Sequence, residues 1–224
     1  GLSFQNSNTF SSLCGGTNYS IIVKDVNGCT FSSNIFLSEP TEILFNVTSS
    51  DFNGFGVSCF GADDGEIIIF APSGGTPNYD YSINGGASYS NSLIYNNLTS
   101  GNYVVTVRDI IGCTSDTTVV ITEPNQFDVQ YTSTSNYNGV NVSCYGSCDG
   151  SISIAQSNGV GVVSYSLSGF VTQTAPIFSS LCGQISNGSY SLIAIDDNGC
   201  VDSVNVNLTE PQEWVYSVDS IGET

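Results

Sequence analysis

Histidine and methionine are absent from this 224-residue chain, and Lys24 and Arg108 are the only basic residues against twenty carboxylates. The formal charge of −18 at pH 7 repels polyanions and anionic lipid surfaces, which excludes nucleic acid as a partner. No apolar run is long enough to span a bilayer as a helix, so direct membrane insertion is not expected. Gly1 to Phe10 has neither the basic start nor the apolar stretch of a signal peptide, and an export signal would lie outside this chain. Without histidine the ordinary general base is missing, and nothing singles out two of the twenty carboxylates as a glycosidase pair. The reading is of a chain that is not an enzyme and has no catalytic residues. Helix-forming periodicity is also scarce.

What is abundant are turn formers and β formers, among them 24 glycines and 12 tyrosines. Their order repeats. Glu-Pro stands at 39–40, 123–124 and 210–211, giving periods of 84 and 87 residues. Eleven positions before each proline is a cysteine (Cys29, Cys113, Cys200), preceded by glycine and, three residues earlier still, by Asp25, Asp109 or Asp196. Tyr19, Tyr103 and Tyr190 lie ten positions before those cysteines. The front half repeats as well, since "CFGADDGEI" from Cys59 matches "CYGSCDGSI" from Cys144. The organisation read from this is the C-terminal half of a repeat over 1–40, complete repeats over 41–124 and 125–211, and the first strand of another over 212–224.

Each complete repeat reads as seven short strands, placed in the first of them near 43–50, 56–60, 65–71, 79–84, 90–97, 102–109 and 113–122. In the penultimate strand Tyr103, Val105 and Val107 share the face expected to be buried, and Val104, Thr106 and Arg108 share the other. The Asp-x-x-Gly segment then turns the chain back in a hairpin. Seven strands in about 85 residues with a tyrosine opening the sixth predict an all-β fold of tandem immunoglobulin-like Greek-key β-sandwiches arranged as a rod, with a small barrel as the alternative. Glu-Pro closes each repeat, where a proline cannot donate to a ladder.

Eight cysteines point to disulfides in an oxidising, extracellular setting. A thiolate metal site built from Cys144, Cys148, Cys182 and Cys200 is the competing reading. Because one early and one late cysteine recur in each repeat, the expected pairs are Cys59 with Cys113 and Cys144 with Cys200, each closing a loop worth roughly 4 kcal/mol. The third repeat carries two further cysteines, Cys148 and Cys182, where the second has Asp63 and Thr99, and they are expected to pair with each other. Cys14 and Cys29 flank a strand of roughly 20 Å, too long for a bridge between them. Their partners are expected upstream or in a neighbouring chain that completes the half-repeat by strand addition.

The stretches "VSCFGADDGEI" and "TSGNYVVTVRDIIGCTSDTTVVITEP", with their counterparts in the third repeat, resemble the SprB repeat of very large cell-surface adhesins of gliding Bacteroidota. The resemblance covers both complete repeats and the half-repeat. Val201 where threonine is usual, Val162-Val163 in place of a "GGTPNYDYS"-like stretch, and the extra cysteine pair depart from it. It implies export by the type IX route, display outside the outer membrane, and a role in attachment or gliding motility. Asp116-Thr117, Asp202-Ser203 and Asp219-Ser220, each followed by a further residue of the motif, look like the Asp-Ser/Thr-aliphatic sites at which Bacteroidota O-glycosylate exported proteins. Thr117, Ser203 and Ser220 are the candidate sites.

No cofactor is expected. Calcium is the one ion weighed, with Asp63, Asp64 and Asp149 in Asp-Gly turns as candidate ligands, although no Asp-x-Asp-x-Asp loop is present. Trp214 takes the place of Ile43 and Phe127, and is expected to serve first-strand core or interdomain packing rather than as a sugar-stacking platform. The function that follows is a structural or adhesive segment of a long extracellular surface filament, its repeats acting as disulfide-stapled spacers. The rival is a calcium-dependent or carbohydrate-binding β-sandwich module. Expected partners are neighbouring repeats of the same polypeptide, other copies in a filament, and a surface or glycan ligand.

Overall fold

The computed structural model describes residues 4–183 and 189–217, in strands and turns with no helix among them. The first elements form one hairpin: β1 (Thr17–Lys24) pairs antiparallel with β2 (Thr30–Leu37) in unbroken register from Thr17 opposite Leu37 to Lys24 opposite Thr30. The turn between them explains the spacing of Asp, Gly and Cys. Asp25 Oδ1 accepts the amides of Asn27 (2.9 Å) and Cys29 (2.8 Å), while Gly28, at φ +92°, donates to the Asp25 carbonyl. Aspartate has the short acceptor that closes such a loop, and glycine takes the left-handed φ without strain.

The same turn recurs at Asp109–Cys113 and Asp196–Cys200. Asp109 Oδ1 accepts from Ile111 and Cys113, and Asp196 Oδ1 from Asn198 and Cys200. In these two the second carboxylate oxygen reaches another loop, taking the amide of Thr76 or of Val160 at 2.9 Å. Both aspartates are buried. The repeated aspartate therefore shapes its own hairpin and clamps a second segment to it.

After the hairpin come β3 (Val47–Ser49), β4 (Gly65–Ile69), β5 (Tyr79–Ser82), β6 (Ile94–Leu98), β7 (Gly101–Asp109) and β8 (Thr114–Ile121), then β9 (Asp128–Ser133), β10 (Gly150–Ser157), β11 (Ser164–Leu167), β12 (Ile177–Leu181), β13 (Ser189–Ile195) and β14 (Val201–Asn207). They form three-stranded sheets in the orders β3-β4-β6, β5-β7-β8, β9-β10-β12 and β11-β13-β14. Strands one, two and four of each repeat thus make one sheet and strands three, five and six the other, which is the immunoglobulin plan with its fourth strand missing. The fold is all-β, of immunoglobulin-like sandwich repeats. Six strands form where seven were expected. Residues 56–60 are irregular because Gly56 and Val57 both donate to the Thr122 carbonyl and Ser58 donates to Asp64, which leaves no ladder to extend.

The described chain divides into two compact units. The first takes the chain through Asn46 with Phe70–Ser92 and Val105–Thr117; the second takes Val47–Ile69, Leu93–Val104 and the chain from Thr118 onward. Strands β7 and β8 run through both. The third repeat, wholly in the second unit, shows how a core forms. Along β13 the pattern alternates strictly, with Tyr190, Leu192 and Ala194 buried and the residues between them exposed. These pack with Tyr165 and Leu167 of β11 and Val206 of β14 against Val129, Ile152, Ile154, Phe178 and Leu181 of the facing sheet. Each such fully buried side chain contributes about 2 kcal/mol.

In the first unit Val105 and Val107 are buried, and Thr106, on the face expected to be open, is buried too. Its cross-strand partner is Ser82, whose hydroxyl accepts the amides of Asn84 and Gly86 and so gathers the following loop around this face. Two positions on, on the same face, Arg108 makes an ion pair with Asp80 at 2.8 Å and lies 3.8 Å from the ring centroid of Tyr89.

Candidate functional site

The most elaborated feature of the second unit is a joint between consecutive sequence repeats. One side is the loop Asp51–Phe60. Asn53 and Gly54 have φ of +51° and +95°, the conformation of a tight two-residue hairpin in which Asn-Gly is favoured. Phe52 and Phe55 exchange backbone hydrogen bonds across it, and Asp51 Oδ1 accepts the Gly54 amide at 2.6 Å. Further on, Asp64 Oδ1 takes the Ser58 amide and Glu123 takes the Gly61 amide. These bonds fix the loop to the end of its own repeat and aim the carbonyls of Phe52 and Ser58 outward.

The other side is the β13–β14 turn. Asn198 Nδ2 donates to the Phe52 carbonyl at 3.2 Å and to the Ser58 carbonyl at 3.1 Å, while its Oδ1 accepts from Asn53 Nδ2 at 2.5 Å. Asparagine is suited to this place because one side chain supplies two donors and an acceptor. Beside it Cys59 is bonded to Cys200, their Cα atoms 5.5 Å apart, across 141 residues. Cys200 is buried, and Cys59 packs on the core of the third repeat.

This bond corrects the expected pairing of Cys59 with Cys113 and of Cys144 with Cys200. The reason is strand length. Cys200 immediately precedes β14, whereas Cys144 follows the loop whose Asn141 amide bonds Thr209, beyond the other end of that strand. Nine extended residues separate the two levels, roughly 30 Å, where a bridge tolerates about 7 Å between Cα atoms. Likewise β8 lies between Cys113 and Thr122, the residue to which Gly56 and Val57 are bonded. An early cysteine therefore meets the late cysteine of the following repeat. Cys14, Cys29, Cys113 and Cys144 are free and exposed.

Cys148 and Cys182 are bonded to each other within the third repeat. The tyrosine of the motif has its role here: Tyr190 Oη accepts the Cys182 amide (2.7 Å) and donates to the Cys182 carbonyl (3.2 Å). Tyr19 holds Cys14 in the same way at 2.9 and 3.1 Å, and Tyr103 donates to the Thr99 carbonyl at 2.9 Å. Residues 14, 99 and 182 are one position in three repeats, pinned by tyrosine whether or not a cysteine stands there. Burial raises the pKa of Tyr190 and of Tyr165.

The acidic candidates serve the backbone. Asp149 Oδ1 accepts the Ser143 amide, and the Ser143 hydroxyl and amide together lower its pKa, with Tyr137 assisting against a weaker upward pull from desolvation. At Asp64 desolvation pulls upward most strongly, but hydrogen bonds from the Ser58 hydroxyl and amide prevail and the pKa is lowered. Asp109 follows the same logic, its desolvation outweighed by the amides of Thr76, Cys113, Ile111 and Gly112. Asp63 and Asp64 lie in one turn and Asp149 in its equivalent. No group of three or more acidic or cysteine side chains able to hold a metal occurs among the described residues.

Thr117 and Ser203 are exposed on β8 and β14, and Asp202 accepts the Val129 amide at 2.7 Å. Ser220 lies outside the described residues. In the first unit a hollow of about 210 Å³ is lined by Phe4, Phe10 and Leu13 of the segment before β1 and by Tyr19, Ile21 and Ile35 of the β1–β2 hairpin. Two residue sets at the joint escaped the sequence reading: Asn198, and the acids of Glu-Pro, of which Glu210 bonds Gly146 as Glu123 bonds Gly61. The signal available was Asn-Gly at 53–54 and again at 138–139, one repeat apart.

A family model described as SprB repeat matches residues 57–88 and 136–172. The first match contains the loop end that carries Cys59, and the second its counterpart around Cys144. Among solved structures, the fibronectin(III)-like modules of Clostridium thermocellum CbhA align at 17% identity with a TM-score of 0.30, covering 77% of this chain and 100% of that one. No curated protein matches the chain.

Proposed function

The chain is a SprB-repeat protein, and from that premise we propose that its repeats are disulfide-stapled spacers in a long surface filament used for attachment or gliding. It is a structural extracellular repeat protein. The finer reading places it outside the outer membrane, exported by the type IX route, with residues 41–124 and 125–211 as the repeating domains and neighbouring repeats as first partners. Sugar on Thr117 and Ser203 belongs to the same reading and is supported by their exposure on β8 and β14.

The observation that carries it is the Cys59–Cys200 bond, which ties each end of a two-repeat stretch to the other. A binding module gains little from such a bond, whereas a tension-bearing spacer gains a limit on how far it can be drawn out. Single-molecule stretching from the two chain ends tests this. The oxidised protein should hold back the 141 residues inside the bond, and adding reductant should release roughly 500 Å more contour length, at about 3.6 Å per residue. Equal extensions with and without reductant would refute the spacer reading.

A further inference from the structure

Among the described residues the second unit contains both a filled joint and an open one. The loop Asn136–Tyr145 repeats the loop Asp51–Phe60 in conformation. Asn138 and Gly139 have φ of +54° and +96°, Tyr137 and Val140 exchange backbone hydrogen bonds, and Asn136 Oδ1 accepts the Gly139 amide at 2.8 Å. Asp149 takes the Ser143 amide as Asp64 takes that of Ser58, and Glu210 takes the Gly146 amide as Glu123 takes that of Gly61. Where the first loop holds Asn198, the second borders a cavity of about 600 Å³ lined by Asn136, Tyr137, Asn138, Val140, Ser143 and Pro211. Burial differs accordingly: Phe52, Ser58 and Cys59 are half-buried, whereas Tyr137, Ser143 and Cys144 are exposed.

The complementary shape is present at the far end of the sequence. Asp25-Val26-Asn27-Gly28-Cys29 matches Asp196-Asp197-Asn198-Gly199-Cys200 at the aspartate, asparagine, glycine and cysteine, and its carboxylate makes the same two amide bonds. Asn27 and Cys29 are exposed, and the Asn27 side chain is committed to no hydrogen bond among the described residues. The third turn, at Cys113, has Ile111 where the asparagine would be and cannot donate to the paired carbonyls.

We propose that the Cys144 loop is a docking site for the Asp-x-Asn-Gly-Cys turn of another repeat, and that a second copy of this chain fills it with Asp25–Cys29, head to tail, sealed by a Cys29–Cys144 disulfide. Asn27 then donates to the carbonyls of Tyr137 and Ser143, as Asn198 does to those of Phe52 and Ser58. The two surfaces differ, so the contact is heterologous, and repeated head to tail it builds an open series or closes a ring. Sealing requires a disulfide oxidant such as oxidised glutathione. The Cys144 thiolate attacks one of its sulfurs and expels a glutathione thiolate; the Cys29 thiolate then attacks the Cys144 sulfur of the mixed disulfide and expels the second. The two protein thiols lose two electrons and two protons, and the oxidant becomes two thiols. The idea deepens the spacer reading and rests on it for its setting, while the stretching experiment concerns only the bond already formed and so fails or succeeds separately.

The test mixes two variants of the whole chain, both carrying Cys14→Ser. One also carries Cys29→Ser and keeps the loop, the other carries Cys144→Ser and keeps the turn. With oxidised glutathione, the mixture should yield a covalent dimer on non-reducing gels, with a Cys29–Cys144 peptide by mass spectrometry, and each variant alone should stay monomeric. Adding Asn27→Ala to the turn partner, a change at an exposed side chain outside any contact, should slow dimer formation about tenfold, the effect of losing two ordinary hydrogen bonds. No dimer, a dimer through Cys113, or an unchanged rate with Asn27→Ala would each overturn the proposal.

Discussion

Cys59 is bonded to Cys200, so the early cysteine of one repeat is held by the late cysteine of the next. In the chain-entropy picture a loop of 141 residues is worth about 5 kcal/mol and the 34-residue loop of Cys148–Cys182 about 4 kcal/mol. Replacing Cys59 and Cys200 together by serine should therefore lower the free energy of unfolding at least as much as replacing Cys148 and Cys182 together. Guanidinium titration of the three proteins without reductant measures it. A Cys59→Ser/Cys200→Ser protein within 1 kcal/mol of the parent would show that the joint is held by its hydrogen bonds instead.

Stability should fall in acid through the turn aspartates. Asp64, Asp109 and Asp149 are lowered in the folded state, so in the window between folded and unfolded pKa the unfolded chain binds more protons. Their contribution is complete above the ordinary carboxylate value near pH 4 and is lost as the pH falls through the lowered one. Since the other carboxylates titrate in every variant, the comparison is with Asp149→Asn. Its deficit in melting temperature should be full at pH 6 and shrink as the pH falls below the ordinary carboxylate value near 4 and through the lowered one. A deficit that stays constant across that range would mean the charge on Asp149 is not what matters.

Tyr190→Phe should cost about 1 to 2 kcal/mol, because the hydroxyl that accepts the Cys182 amide and donates to its carbonyl is buried. Tyr103→Phe removes a single bond from a more accessible site and should cost less. Denaturant midpoints of the two variants, each against the parent, decide the order, and the reverse order would contradict the pinning role.

Thr106 Oγ1 is buried with no hydrogen-bond partner. Valine has nearly the same shape, keeps the β-branched preference for a strand and leaves no polar atom unsatisfied. Thr106→Val should accordingly raise stability by about 1 kcal/mol, read from the shift in denaturant midpoint at unchanged slope. A destabilised variant would indicate that water reaches this hydroxyl.

The local parts of the fold were legible because local chemistry decides them. Asp25, Asp109 and Asp196 read as hairpin turns, and each accepts the two amides that such a turn leaves over. Alternation along β7 predicted the burial of Val105 and Val107, while Tyr103 is half-buried and Thr106 of the opposite face is buried as well. The disulfide partners were a different matter. In a periodic sequence, pairing a cysteine with a position in its own repeat looks the same as pairing it with that position one period later. Only the register that sets Gly56 against Thr122, a whole strand away from Cys113, separates the two, and no single residue announces it. Asn198 was missed for a related reason, since its partners Phe52 and Ser58 lie some 140 residues away and are backbone carbonyls.

The same bond has a bearing on survival outside a cell, where proteases are abundant. A cut in any loop between Cys59 and Cys200 opens a ring without dividing the molecule, because both new ends stay attached through the sulfurs. Arg108, one of the two places where a basic-specific protease could act, falls inside that ring. Such a nick leaves the line of covalent connection from one end of the chain to the other intact.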